Sequence, residues 1–363
     1  MIVTRLPNLE IENFRAFSKL TIPTLGRINL IAGKNNVGKT TVLEALWLYA
    51  NGGSAGSAIR EILLDRRDLL EGAQGTDEVL YSLFNGRPHL VSDSDEIHIG
   101  TSDPEIRMSL RLEWFALIDN SNNPHTLQSI PQEFVADYDD AARWVVIRYG
   151  DDAPYRFRAS KILDSSFTPS DITKVIPNQF VHSDGLLEHE VRPLWDEVQL
   201  TDSEQDIIET LRLIAPAVER VSLRTAGTSQ SRVTPIVKLR GSNEVLPLRS
   251  VGDGMTRAFN LALALANARG GMLFVDEIEN GLHYTVMPDI WRSLFQVALK
   301  LDVQVFATTH SLDCIKAFQE VAAEHGSQTG MLIRLEGKDG VVKAVEYDDR
   351  RLAIATEQAI EVR

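Results

Sequence analysis

Over the last third of the chain, short unbroken apolar runs alternate with longer amphipathic segments. Met272–Val275 and Val303–Thr308 predict buried strands, and residues 255–268, 285–300 and 311–325 predict the helices around them. Near the N-terminus the pattern recurs: Ile28–Ala32 reads as a buried strand and 41–51 as a helix. Asn51-Gly52-Gly53-Ser54 stops that helix, and Gly52–Ser57 reads as a flexible joint. Strands alternating with helices imply an α/β fold with a mainly parallel sheet and a ligand at the strand C-termini.

Between these ends the period changes to two. Ile106, Met108, Leu110, Leu112 and Trp114 alternate with Arg107, Ser109, Arg111 and Glu113, predicting a strand with one buried face. Residues 143–149 and 155–158 continue an antiparallel region around a loop at Asp119–Pro124. Residues 9–15 and 20–22 predict two strands of a small β layer folding over the ligand. Residues 58–71, 77–84, 186–198 and 203–214 read as helical, the last with Thr201 as cap and Glu204 in the capping-box position. Residues 178–182 are strand-like. Val233–Leu239 and Val245–Leu248 form a hairpin around Gly241-Ser242-Asn243, Met331–Leu335 and Val341–Tyr347 pair, and Leu352–Ile360 is a last helix. No internal repeat or long heptad run is present. The expected division is 1–75 and 236–363 as two halves of one α/β domain, with 76–235 as an inserted antiparallel β and helical lobe.

Composition narrows the class. Of 363 residues, 44% are hydrophobic and 24% charged, as in ordinary soluble domains, and no apolar stretch is long enough to span a bilayer. Met1-Ile2-Val3-Thr4-Arg5 starts no signal peptide. The lone Cys314 excludes a disulfide framework and a Cys-x-x-Cys zinc site, so a cytoplasmic protein is expected. The net charge of −14 argues against binding nucleic acid by charge alone; DNA contact would need a local basic patch or a partner. The arginines on the strands around 107–158 read as a solvated face.

Candidate chemistry lies at the strand ends. Gly33, Gly38, Lys39 and Thr40 fit G-x-x-x-x-G-K-[ST] between a strand and a helix, the context of a phosphate-binding P-loop. Gly33, Asn35, Asn36, Gly38, Lys39, Thr40 and Thr41 form the candidate cradle: backbone N–H groups face an anion, Lys39 reaches the β- and γ-phosphates of ATP, and Thr40 holds Mg²⁺. Four apolar residues precede Asp276-Glu277. Asp276 fits the metal, and Glu277 the polarisation of an attacking water. His310, after the next strand, fits a group sensing the terminal phosphate. Ser250, Gly252 and Gly254 form a second anion turn opening a helix. A dimer that sandwiches ATP between one chain's P-loop and the other's turn would use both.

The order of these motifs resembles the ATP-binding-cassette superfamily, in its SMC/RecF/OLD-like branch. Ile11-Glu12-Asn13-Phe14-Arg15 resembles the branch's opening strand, which adds Arg15 to the nucleotide contacts. Ser250–Gly254 corresponds to the signature turn, Asp276-Glu277 to Walker B, Glu279–His283 to the D-loop and His310 to the switch histidine. The resemblance implies a P-loop ATPase head that forms a homodimer or higher homo-oligomer through Mg-ATP. Gln179 is the candidate for the branch's Mg²⁺-contacting glutamine. The insert is too short for a long coiled-coil arm, and the roughly fifty residues after His310 are too few for a nuclease domain. Asp93-Ser94-Asp95 reads as a turn, not a metal pair. A bare head of this kind implies a separately encoded effector, in some relatives a phage-defence protein, and no membrane. The alternatives are a RecF-like DNA-repair ATPase, the energy subunit of a transporter, and a scaffold that binds ATP without turnover.

Overall fold

The computed structural model describes residues 6–52, 55–66, 76–87, 91–120, 123–163, 175–225, 233–242, 244–325, 329–338 and 340–347. The expected helix at 352–360 and parts of the joint at 52–57 and of the helix at 58–71 lie outside them. The chain opens with strands β1 (Leu9–Phe14), β2 (Phe17–Ile22) and β3 (Ile28–Gly33), then helices α1 (Lys39–Asn51), α2 (Ala55–Asp65) and α3 (Thr76–Tyr81). Strands β4 (Glu96–Gly100), β5 (Arg107–Asn120), β6 (Asn123–Ile130), β7 (Ala142–Tyr149), β8 (Tyr155–Arg158) and β9 (Asn178–Val181) follow. Then come α4 (Glu188–Val198), α5 (Asp202–Arg212), β10 (Val218–Thr225), β11 (Val233–Leu239), β12 (Val245–Pro247) and α6 (Asp253–Asn267). The chain continues through β13 (Met272–Val275), α7 (Met287–Leu301), β14 (Gln304–Thr309), α8 (Leu312–His325), β15 (Gly330–Lys338) and β16 (Val341–Tyr347).

The chain forms two compact units that interleave in sequence. One comprises residues 1–23, 44–176 and 337–343; the other comprises 24–43, 177–336 and 344–363. These do not follow the boundaries at 75 and 235: β9, α4, α5 and β10 lie within the expected insert but belong to the second unit.

The first unit is built on one antiparallel sheet, ordered β2-β1-β4-β5-β7-β8 with β6 also on β5. The N-terminal β layer and the period-two strands are therefore one sheet, joined where Ile11 of β1 pairs Ile99 of β4. Within the expected loop at 119–124, Asn120 of β5 pairs Asn123 of β6. Four of the arginines on these strands have local partners. Arg111 binds Glu96 at 2.6 Å, buried Arg143 binds Asp93 and lies over Trp114, and Arg156 and Arg158 lie over Phe115 and Trp144. Asp93-Ser94-Asp95 is a turn, as expected: the Ser92 N–H donates to the Asp95 carboxylate and the Asp95 N–H to Ser92 O.

The second unit carries the parallel sheet, ordered β16-β15-β3-β14-β13-β9, with β15, β3, β14, β13 and β9 mutually parallel. Its unbroken apolar strands are buried on both faces, as the sequence pattern predicts. On one face Leu30, Ala32, Leu273, Val275, Val305 and Ala307 join Trp195, Phe259, Trp291 and Phe318 of the helices in a single core. On the other, Phe180, Phe274 and Phe306 stack across three neighbouring strands, their ring centroids about 6 Å apart. The helix-capping expectation at α5 holds with a shift. Thr201 accepts from the Ser203 N–H, while Glu204 reaches back one residue farther, to the Leu200 N–H. Strand β10 was not marked by the apolar pattern; it completes a three-stranded sheet with the predicted β11–β12 hairpin. Among the described residues, no helix is long and apolar enough to cross a membrane.

Candidate functional site

Strand β3 is buried throughout and ends at Gly33. There φ is +149°, and a Cβ would stand 2.8 Å from the Leu335 carbonyl, so the loop can leave the sheet only with glycine. The loop turns through Asn36 (φ +64°) and Gly38 (φ +101°), and α1 begins at Lys39. The nearly buried Lys39 ammonium (8% exposed) donates to the carbonyls of Gly33 (2.9 Å) and Lys34 (3.2 Å) and closes the loop on itself. Burial lowers its pKa, opposed by the negative field of Asp276, Glu277 and Glu279.

Because β14 lies between β3 and β13, its tip ties together the residues that follow the two outer strands. Thr40 Oγ1 donates to Asp276 at 3.0 Å, and Thr308 Oγ1 donates to the same carboxylate at 2.5 Å. Thr308 Oγ1 in turn accepts the Glu277 N–H at 2.8 Å. Glu277 has left-handed backbone (φ +47°), uncommon for a side chain of this size and found disproportionately at functional sites. The surroundings hold it there. Its carbonyl accepts from Arg257 Nη2 (2.9 Å) and the Asn280 N–H (3.0 Å), and its Oε2 accepts from Asn280 Nδ2 (2.8 Å). His310 follows β14 with its ring half exposed; Nδ1 lies 3.3 Å from Glu279 Oε1 and 3.6 Å from Glu277 Oε1.

The donor set suits a magnesium nucleotide. The Thr40 hydroxyl and Asp276 carboxylate are hard oxygens about 3 Å apart. That is the spacing of neighbouring ligands around an octahedral Mg²⁺ at about 2.1 Å. Thr40, Asp276, Glu277 and His310 thus form one cluster, joined directly or through Thr308 and Glu279, with the Lys39 ammonium in its negative field.

The second anion turn is built differently. Leu248–Val251 form a 3-10 turn, Gly252 (φ 141°, ψ 151°) occupies a backbone region that glycine alone tolerates, and α6 begins at Asp253 with no side-chain cap. Ser250 and Gly252 are exposed, while a Cβ on Gly254 would come within 3.1 Å of the Gly281 carbonyl, so the first turn of α6 packs against the D-loop turn. Arg15 lies in the other unit. It is nearly buried at φ +48°, its guanidinium 3.5 Å from Glu44, which also binds Arg66 at 2.7 Å. Burial raises the Glu44 pKa, against the pull of both arginines. The register places Gln179 away from Asp276. It aligns with Leu273, three residues before Asp276 and in the row facing the helical core. In the strand register, the residue beside Asp276 is His182, whose ring packs on Phe180 at 4.7 Å.

Sequence reasoning missed Arg257. In the α6 pattern it is one polar residue among many, yet it is 4% exposed and its guanidinium spans two strand tips. Nη1 donates to His182 O (2.6 Å) and Ser183 O (3.4 Å), and Nη2 to Asp276 O (2.7 Å) and Glu277 O (2.9 Å). Burial lowers its pKa to about 10, which leaves it charged at neutral pH.

The chain is similar to several known proteins. An "ATP/GTP phosphatase" from Helicobacter pylori is 24% identical over 88% of this chain and 89% of its own length. The "DNA replication and repair protein RecF" of Clostridioides difficile is 38% identical over 50 residues, 14% of each chain. Among solved structures, the Smc head domain of Pyrococcus furiosus, bound to the C-terminal domain of ScpA, aligns over 98% of this chain and 99% of its own. Its identity is 12% and its TM-score 0.47. The SMC head domain from Thermotoga maritima aligns over 94% and 99%, at 12% identity and a TM-score of 0.44. The family described as "AAA domain, putative AbiEii toxin, Type IV TA system" matches residues 28–313, from β3 into α8. The chain belongs to that AAA ATPase family.

Proposed function

We propose that this ATPase is a switch, closed as a homodimer or higher homo-oligomer by Mg-ATP and reopened by hydrolysis, which acts on a separately encoded effector. The observation that carries the proposal is the contrast between its two anion-facing turns. The P-loop is joined through Thr40 to the Walker B carboxylate of its own chain, whereas the turn at Ser250–Gly254 opens an uncapped helix toward solvent.

In this reading Lys39 gives up the loop carbonyls to donate to the β- and γ-phosphates. Mg²⁺, when bound, would neutralise charge developing on the phosphates, and Thr40 and Asp276 would hold it. Glu277 orients and deprotonates the attacking water, its left-handed backbone fixing the direction of the carboxylate. His310 faces the terminal phosphate. Ser250 and the N–H groups at the start of α6 complete the site from the second subunit. The relative named ATP/GTP phosphatase supports the chemistry, and the toxin–antitoxin wording of the family description is consistent with a paired effector. Defence against phage is the pathway we infer, and the cytoplasm the compartment. A role on DNA is the weaker reading, given a net charge of −14.

Mixing two inactive variants tests the composite site. Lys39→Ala destroys the P-loop half, and Ser250→Arg places a bulky cation in the other half. Each alone should lack ATPase activity, and mixed subunits should regain part of it, because one of the two sites in a heterodimer is intact. Mixed samples that exchange subunits yet stay inactive would exclude shared sites.

A further inference from the structure

Glu279 has no role in the scheme above, yet it makes the closest contacts to His310. Its Oε1 accepts the His310 main-chain N–H at 3.0 Å and stands 3.3 Å from the ring Nδ1. Glu277 is farther from the ring at 3.6 Å, and its second oxygen is engaged by Asn280. The two carboxylates also differ in setting: the Glu279 side chain is 12% exposed, that of Glu277 35%. The carboxylate thus meets His310 at two points, by a hydrogen bond at the backbone and by a 3.3 Å approach at the ring.

We propose that Glu279 is a positioning residue for His310. It sets the ring tautomer and keeps His310 off Glu277, so that Glu277 stays available to the water. A carboxylate can only accept, so a ring nitrogen hydrogen-bonded to Glu279 must carry the proton. On this proposal Nδ1, 3.3 Å from the Glu279 carboxylate, is the ring nitrogen that carries the proton. Without Glu279 the nearest carboxylate to Nδ1 is Glu277, and a hydrogen bond there would occupy the base. The inference rests on the reading of His310 as the group facing the terminal phosphate, but its central claim concerns the ring itself and is measurable without hydrolysis.

Two measurements decide it. In ¹⁵N-histidine NMR, His310 is assigned among the eight histidines by its loss in His310→Ala. The wild type should show the proton on Nδ1. Glu279→Ala should shift that signature, and Glu279→Gln, whose amide oxygen still accepts, should restore it. In steady-state kinetics Glu279→Ala should lower kcat about 10–100-fold and change the KM for ATP less than about threefold. In the His310→Ala background the same substitution should change kcat less than about twofold, because residues acting through one another are not additive. An unchanged His310 signature in Glu279→Ala, or an equal loss of kcat with and without His310, would overturn the proposal. A wild-type protein that does not hydrolyse ATP would instead overturn the functional reading, and the NMR result would still decide the role of Glu279.

Discussion

The P-loop and the signature turn both present backbone N–H groups at the start of a helix, but only one is finished within its own chain. At the P-loop, Lys39 folds back on two carbonyls and Thr40 is bound to Asp276, so the ammonium of one and the hydroxyl of the other have partners in the subunit. At the signature turn, the side chains of Arg249 and Asp253 are 86% and 80% exposed and stand 3.7 Å from each other, a contact of little energetic weight in water. A turn that uses a glycine-only backbone conformation and is left bare suits a ligand brought to it from outside. The difference teaches that a turn opening a helix can be preorganised in two ways: by bonds to its own sheet, or by anchoring the helix behind it and leaving the turn open. Arg257, one turn into α6, supplies that anchor.

The largest effect is expected where the closed side carries chemistry. Glu277→Gln keeps the shape of the side chain and its bond to Asn280 but removes the charge. Single-turnover hydrolysis should slow roughly 10²–10⁴-fold while filter binding shows ATP retained. Wild-type turnover would move the role of base elsewhere, with Glu279 the next carboxylate to test. Lys39→Ala attacks the same side at the binding step. Loss of a charge-assisted hydrogen bond of about 1.5–3 kcal/mol predicts binding about 10–100-fold weaker by calorimetry. Far-ultraviolet circular dichroism should be unchanged, since the loop carbonyls freed by the substitution can turn to water. Undiminished affinity would mean that the Lys39 bonds to Gly33 and Lys34 are structural only, and the contrast between the two turns would lose its meaning.

The closed turn was legible in the sequence because its signal is contiguous. Gly33–Thr41 and Met272–Glu277 each contain strand, turn and chemistry within a few residues, and the structure places them as the spacing predicts. What was hidden depends on register and burial. Gln179 stands in a strand-like run, but the two-residue side-chain period and the pairing with Leu273 put it in the row facing the helical core, with His182 beside Asp276. Arg257 has the composition of a solvent-facing helical residue, and only the strand tips at Asp276 and His182 show why it is buried. The division of the chain was hidden for a related reason. β9 pairs β13 across more than ninety residues, and no local pattern marks a strand as belonging to a distant partner.

The smallest effect should sharpen the comparison most, because it touches the anchor and neither turn. Arg257→Lys keeps the positive charge but replaces a planar fork with a point, so one ammonium must serve carbonyls on two strand tips. One pair, at His182 and Ser183 or at Asp276 and Glu277, loses its donor. The expected loss of stability is about 1–3 kcal/mol, read as a lower urea midpoint at unchanged m-value. If the donor lost is the one to Glu277, its carbonyl keeps the Asn280 N–H but loses the guanidinium, and kcat should fall roughly tenfold at unchanged ATP affinity. In the Glu277→Gln background the same substitution should still lower stability but leave the residual rate unchanged. A rate that falls equally in both backgrounds would show Arg257 to be acting on the nucleotide side of the site. A stable Arg257→Lys protein with wild-type kcat would show that the open turn needs no anchor at the strand tips, leaving the packing of Gly254 on Gly281 as the link between α6 and the catalytic carboxylate.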